Sequence, residues 1–105
     1  MSNMDTDFYS GFIRLHILHH AVRSPIFGLE IMEELARHGH KLSAGTLYPL
    51  LHGLEYRGYL HSYRVRDGKS ARRMYRATLQ GRRALRNARE KVRELFGELF
   101  EDEER

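Results

Sequence analysis

This sequence predicts a mainly α chain of the α+β class, on three observations. Apolar residues recur at helical spacing in separate segments, and the repeat shortens to two only between Tyr59 and Ala77. The length, 105 residues, fits one domain with a core that needs no covalent staple. There is no cysteine, which excludes disulfides and thiolate metal sites and agrees with a reducing cytoplasm. The first residues, Met1 to Asp7, carry acids where a secretory signal needs bases, and no apolar run approaches membrane-spanning length. A soluble, cytoplasmic protein with no membrane partner is expected.

The first helix is expected from about Phe8 to Arg23. Phe8, Phe12, Leu15, Leu18 and Val22 recur at helical spacing, and Ile13 and Ile17 broaden the stripe. Apolar on more than one face, it would bury one face in its own core and the other against a second subunit. It also carries His16, His19 and His20. Ser24 and Pro25 are expected to open the second helix as cap and first helical residue. Leu29, Met32, Leu35 and Ala36 would be its buried stripe, and Arg37-His38-Gly39 its end. After the short link His40-Lys41-Leu42, Ser43 caps a third helix, and the two helices make a helix-turn-helix pair.

Leu47, Leu50, Leu51 and Leu54 fall on one side of the third helix. Gly45, Thr46, Tyr48, Pro49 and His52 fall on the other, so an apolar rail faces a core while hydrogen-bonding groups face outward. Pro49 has no amide to bond back to Gly45, which predicts a slight bend rather than a break. Gly58 stops the helix. Leu60, Ser62, Arg64 and Arg66 then alternate with Tyr59, His61, Tyr63 and Val65, as in a half-exposed strand. A turn from Asp67-Gly68 through Lys69, Ser70 and Ala71 leads to a second strand, Arg72 to Ala77. Thr78 caps a last helix whose Leu85, Ala88, Val92, Leu95 and Leu99 form a heptad seam, widened by Phe96 and Phe100. At about 1.5 Å per residue this helix outruns a small domain, so a partner helix is its natural cover. The alternative is a fold back onto its own subunit.

The net charge of +4 is modest, but its placement is informative. Arg57, Arg64, Arg66, Lys69, Arg72, Arg73 and Arg76 stand against the single acid Asp67, and the balance reverses from Glu98 to Glu104. A basic middle beside an acidic tail points to a polyanion partner, with a merely solvated surface as the bland alternative.

Helix, helix-turn-helix, two-stranded basic wing and closing helix is the order of a winged helix-turn-helix. The residues in that order resemble the PadR family of transcriptional regulators. Gly28, the string Gly45-Thr46-Leu47-Tyr48-Pro49-Leu50-Leu51, Leu54-Glu55 and Gly58 carry the first part of the likeness. Arg73, Tyr75, Thr78, Gly81 and Leu85 carry the second. The resemblance implies a homodimeric DNA-binding repressor whose third helix enters the major groove while the wing touches the neighbouring backbone. Residues 1–77 would be the winged helix-turn-helix domain with its N-terminal helix, and 78–105 the C-terminal dimerisation helix with an acidic tail. Several family members respond to small molecules near the dimer interface. This chain has one C-terminal helix, as in the family's shorter branch, and no tryptophan to stack a flat drug.

The expected DNA contacts are Ser43, Gly45, Thr46, Tyr48, Pro49 and His52 on the third helix and Arg64, Arg66, Lys69, Arg72 and Arg73 on the wing. Ser43 and Tyr48 would sit against phosphate and Thr46 or His52 against base edges; none is a bidentate reader of guanine or adenine. Tyr48 could instead be a core aromatic with its hydroxyl at the surface, and Arg73 a structural partner of Glu55. Phe8, Phe12, Leu15, Leu85, Ala88, Val92, Leu95, Phe96 and Leu99 are the expected dimer contacts. Two recognition helices about 34 Å apart would meet successive major grooves of a near-palindromic duplex site. No cofactor is expected. One rival reading is metal sensing through His16, His19 and His20, with His38 and His40 elsewhere, although no acid lies close in sequence to complete a set. A second is a protein-interaction module built on the heptad helix. An enzyme is not expected, because no Ser/His/Asp set, Gly-rich phosphate loop or paired buried carboxylate occurs.

Overall fold

The computed structural model describes residues 7–101; the first six residues and the end of the acidic tail, Asp102, Glu103 and Glu104, lie outside them. The elements run α1 (Ser10–Arg23), β1 (Ile26–Phe27), α2 (Gly28–Arg37), α3 (Ala44–Tyr56), β2 (Leu60–Asp67), β3 (Ser70–Ala77) and α4 (Leu79–Glu101). The strands form one antiparallel sheet in the order β1-β3-β2.

Ser24 and Pro25 do not open a helix. A residue before proline is pushed out of the helical region by the ring, and Ser24 is extended at φ −167°, ψ 158°. That extended step delivers Ile26 and Phe27, good strand residues, to β3, where they pair with Tyr75 and Met74. The wing thus has a third, short strand that links it to α2. Because α2 starts only at Gly28, its buried face is Gly28, Ile31 and Leu35, with Met32 partly covered. Leu29 and Ala36, expected inside, are exposed; each lies about 100° around the helix from a buried neighbour.

In α1 the residues that broaden the stripe turn out to be its buried side. Ile13, Ile17, Leu18 and Ala21 are in the core, whereas Phe8 and Phe12 are exposed. The α3 rail behaves as its spacing predicts: Leu47, Leu51 and Leu54 are buried, Leu50 is half-buried, and the helix runs through Pro49 without interruption. Together with Ile31, Leu35, Leu60 and Tyr75 these side chains make one cluster joining the helices to the base of the wing. Truncating a member such as Leu51 to alanine removes about 2–5 kcal/mol. The Tyr75 hydroxyl is buried without a hydrogen-bond partner among the described residues, and burial raises its pKa.

The hairpin turn is tighter than expected. Gly68 adopts φ 63°, the positive value a two-residue hairpin turn requires, so Asp67 pairs with Ser70 and the strands stay in register to the tip. Ser70 and Ala71 therefore belong to β3. At the other end Thr78 caps α4 as its sequence predicts: its Oγ1 accepts the Gly81 amide at 2.9 Å and donates to the Gly58 carbonyl at 2.6 Å. Gly81 rests against the Tyr59 carbonyl with no room for a Cβ. Thus α4 is keyed to the foot of the wing at its start, while Arg89 to Glu101 are all exposed.

Candidate nucleic-acid interface

The outward face of α3 interleaves glycines with rings. Gly45, Pro49 and His52 are exposed along it, and Tyr56, at 93% exposure, ends the row. A Cβ on Gly53 would meet nothing within 4 Å, and one on Gly45 would meet only the Ser43 hydroxyl at 3.8 Å. The protein's own packing therefore requires neither glycine, although Gly inside a helix costs about 0.5–1 kcal/mol relative to Ala. At these two positions the backbone itself can approach a concave surface closely. Tyr56 was not singled out by residue type, but it lies four residues beyond His52 and seven beyond Pro49, which puts it on the same face.

Ser43 occupies the cap position of α3 without making a side-chain cap bond. Its hydroxyl donates to Thr46 Oγ1 at 3.3 Å, leaving the leading amides of the helix to water or an anion. Thr46 is half-buried. Tyr48 combines both expectations for it. The ring packs over Gly28, whose missing Cβ is what admits the hydroxyl, yet 37% of the residue stays exposed beside His52.

On the wing, strand pairing decides which cations share a face. Arg64 lies opposite Arg73 and Arg66 opposite Ala71, on the face that carries Ser62 and Tyr75 nearer the base. Arg72 belongs to the other face, where Asp67 holds it at 3.1 Å and its guanidinium lies 4.0 Å from the centre of the Phe27 ring. Arg73 does not pair with Glu55 directly. It donates to Ser62 Oγ at 2.9 Å, and Ser62 donates its hydroxyl and amide to Glu55 Oε2 at 2.8 and 2.9 Å. Burial works against the Glu55 carboxylate, but the two Ser62 bonds and the nearby His61 and Arg73 outweigh it and hold the pKa below its ordinary value. Arg64, Arg66 and Lys69 are exposed. The described hydrogen bonds and ion pairs do not engage them.

Two other sets of candidate residues meet elsewhere. Phe12 and Leu15 of α1 face Leu85, Ala88, Val92 and Phe96 of α4 across an open apolar groove of about 470 Å³. Leu95 and Leu99 continue the seam as exposed side chains. The histidines of α1 do not form a ligand set by themselves. His16 lies beside both His38 and His40, with ring centres 5.4 and 5.3 Å away, His19 lines the apolar groove, and His20 has its ligand atoms within 4.8 Å of those of Glu34 and His38. Burial lowers the pKa of His16 and of His20, in the latter against the pull of Glu34. The acid missing from the histidines' sequence neighbourhood is supplied by the packing of α2 on α1.

A helix-turn-helix whose outer helix is exposed beside a basic β-hairpin defines a winged helix-turn-helix protein of the DNA-binding class. The profile of the PadR-like family of transcriptional regulators matches residues 17–87. Transcriptional regulator Rv3488 of Mycobacterium tuberculosis is 50% identical over 95 residues, covering 90% of this chain and 88% of that relative. A PadR family transcriptional regulator from Eggerthella lenta has a TM-score of 0.80 at 31% identity over 94% of this chain and 88% of its own. A PadR-like transcription factor from Bacteroides fragilis reaches 0.80 at 23% identity, over 93% of this chain and 96% of its own, a likeness of fold alone. The chain belongs to the PadR-like family and is a DNA-binding transcriptional regulator, not an enzyme. Among its described residues no helix is long and apolar enough to cross a membrane.

Proposed function

We propose that this regulator works in the cytoplasm as a homodimeric repressor that seats its two α3 helices in successive major grooves of a near-palindromic duplex site. The observation that carries the reading is the exposed, glycine-bearing face of α3 beside the exposed cations Arg64, Arg66 and Lys69 of the wing. Gly45, Pro49 and Gly53 let the helix sink into the groove, and Thr46, Tyr48, His52 and Tyr56 are the side chains in reach of base edges and sugar-phosphate. Ser43 and the leading amides of α3 meet a phosphate. Arg64, Arg66 and Lys69 neutralise the flanking backbone, with Arg72 and Arg73 held nearer the protein.

Residues 1–77 supply DNA binding and 78–105 dimerisation. The exposed seam Val92, Leu95, Phe96 and Leu99 supports a second copy as partner, because a heptad seam is complementary to itself and water is a poor cover for it. Phe8, Phe12, Leu15, Leu85 and Ala88 complete that contact. The groove between α1 and α4 falls within the size range of small-ligand sites, which supports release from DNA by an apolar effector bound there. A gel shift with the duplex directly upstream of the protein's own gene, at two salt concentrations, tests the reading. Salt-sensitive binding by a dimer is expected; tight binding by a monomer would refute it.

A further inference from the structure

We infer that His20 of α1 together with Glu34 and His38 of α2 forms a binding site for a divalent metal ion of the zinc class, set across the joint between α1 and the helix-turn-helix. Ligand atoms from the three residues lie within 4.8 Å of one another. Glu34 Oε2 is 3.0 Å from His38 Nε2 and 4.0 Å from His20 Nε2. Ligands held about 2.1 Å from a tetrahedral ion stand roughly 3.4 Å apart, a value these two distances bracket.

The donor set fits the ion. Two imidazoles and one carboxylate, with no thiolate, is a three-ligand set that zinc accepts while keeping a further position open. The carboxylate is already aimed: Arg37 binds Oε1, which turns Oε2 toward the imidazoles, and His16 stacks on the His38 ring. A cleft of about 190 Å³, lined in part by His20, Glu30 and Glu34 together with the cations Arg23 and Arg37, adjoins the site and gives room for a water as a fourth ligand. An ordinary helix-surface pair between Glu34 and His38, four residues apart, accounts for those two residues alone. It does not account for His20 arriving from another helix.

The site uses neither the α3 face nor the wing, so its test does not depend on DNA binding. Zinc chloride titrated into the full chain in a calorimeter is expected to bind once per chain and to raise Tm, with EDTA reversing both. Glu34→Gln and His38→Gln should each weaken binding by at least about tenfold, while His19→Gln leaves it unchanged. Absence of heat and of a Tm shift, or unaltered affinity in the Glu34→Gln/His38→Gln double variant, overturns the inference. Cobalt(II) with the wild-type chain gives a readout that needs no variant. The intense visible bands of a tetrahedral site are expected, and the weak spectrum of hydrated cobalt contradicts the site.

Discussion

Arg64 and Arg73 stand directly opposite each other across the β2–β3 hairpin, two guanidinium groups on one face of a two-strand pairing. Like charges in that position are destabilising, by up to about 1 kcal/mol. Arg73 is tied back through Ser62, but Arg64 is not. The arrangement is unfavourable in the free protein and would become favourable against a row of phosphates. Arg64→Gln should therefore stabilise the free protein by about 0.5 kcal/mol in urea denaturation. The same change should weaken DNA binding and reduce the slope of log K against log salt by about 2 for a dimer. With Arg64, Arg66 and Lys69 alone neutralising phosphate, the wild-type slope is about −5, approaching −9 if Arg72 and Arg73 also reach the backbone. An unchanged slope in the variant removes Arg64 from the contact.

The glycines of α3 separate folding from function. Since a Cβ at Gly53 meets open space, Gly53→Ala should raise stability by about 0.5–1 kcal/mol, the ordinary gain of alanine over glycine inside a helix. DNA affinity should fall, because the methyl group would stand on the flank of the helix proposed to enter the groove. Thermal melts and anisotropy with a labelled duplex read the two effects in one variant. A more stable protein with full affinity would mean that this part of α3 stays clear of the groove.

Much of this was legible before the structure, and the division follows from the range of the interactions. The buried rail of Leu47, Leu51 and Leu54 and the cap at Thr78 depend on residues a few positions away, so period and residue type reveal them. The third strand does not show itself, because Ile26 and Phe27 are strand only by virtue of Tyr75 and Met74 far along the chain. The same holds for the rotation of the α2 stripe, where Ile31 rather than Leu29 is buried once the helix starts at Gly28. The alternative of a direct Arg73–Glu55 pair misses Ser62, which strand register places between them and through which the two are joined. Glu34 could be linked to His20 only by the packing of two helices.

The Glu55–Ser62–Arg73 relay ties α3 to the wing in a pH-dependent way. The carboxylate's pKa is lowered in the folded state, so its contribution is present above the ordinary value of 4.5 and is lost as pH falls through that value toward the folded one. Wild type should be more stable than Glu55→Gln at neutral pH, and the difference should close as the solution is acidified past the carboxylate range. Denaturation midpoints of both proteins across that range measure it. A gap that is constant with pH would mean that the charge of Glu55 plays no part.

Leu95 is 47% exposed in the single chain, so replacing it should leave the fold intact. Leu95→Lys is expected to give a monomer in sedimentation, with an unchanged circular dichroism spectrum. Affinity for the upstream duplex should drop roughly a hundredfold or more, because the second half-site is no longer linked to the first. A variant that remains dimeric would move the interface off the heptad seam.

Dimethyl sulfate methylation interference on the upstream duplex tests the seating of α3 most directly, since guanine N7 lies in the major groove. Two clusters of interfering guanines on one face of the duplex, about 34 Å apart, are predicted. Binding that is indifferent to N7 methylation throughout the protected region would contradict the insertion of α3.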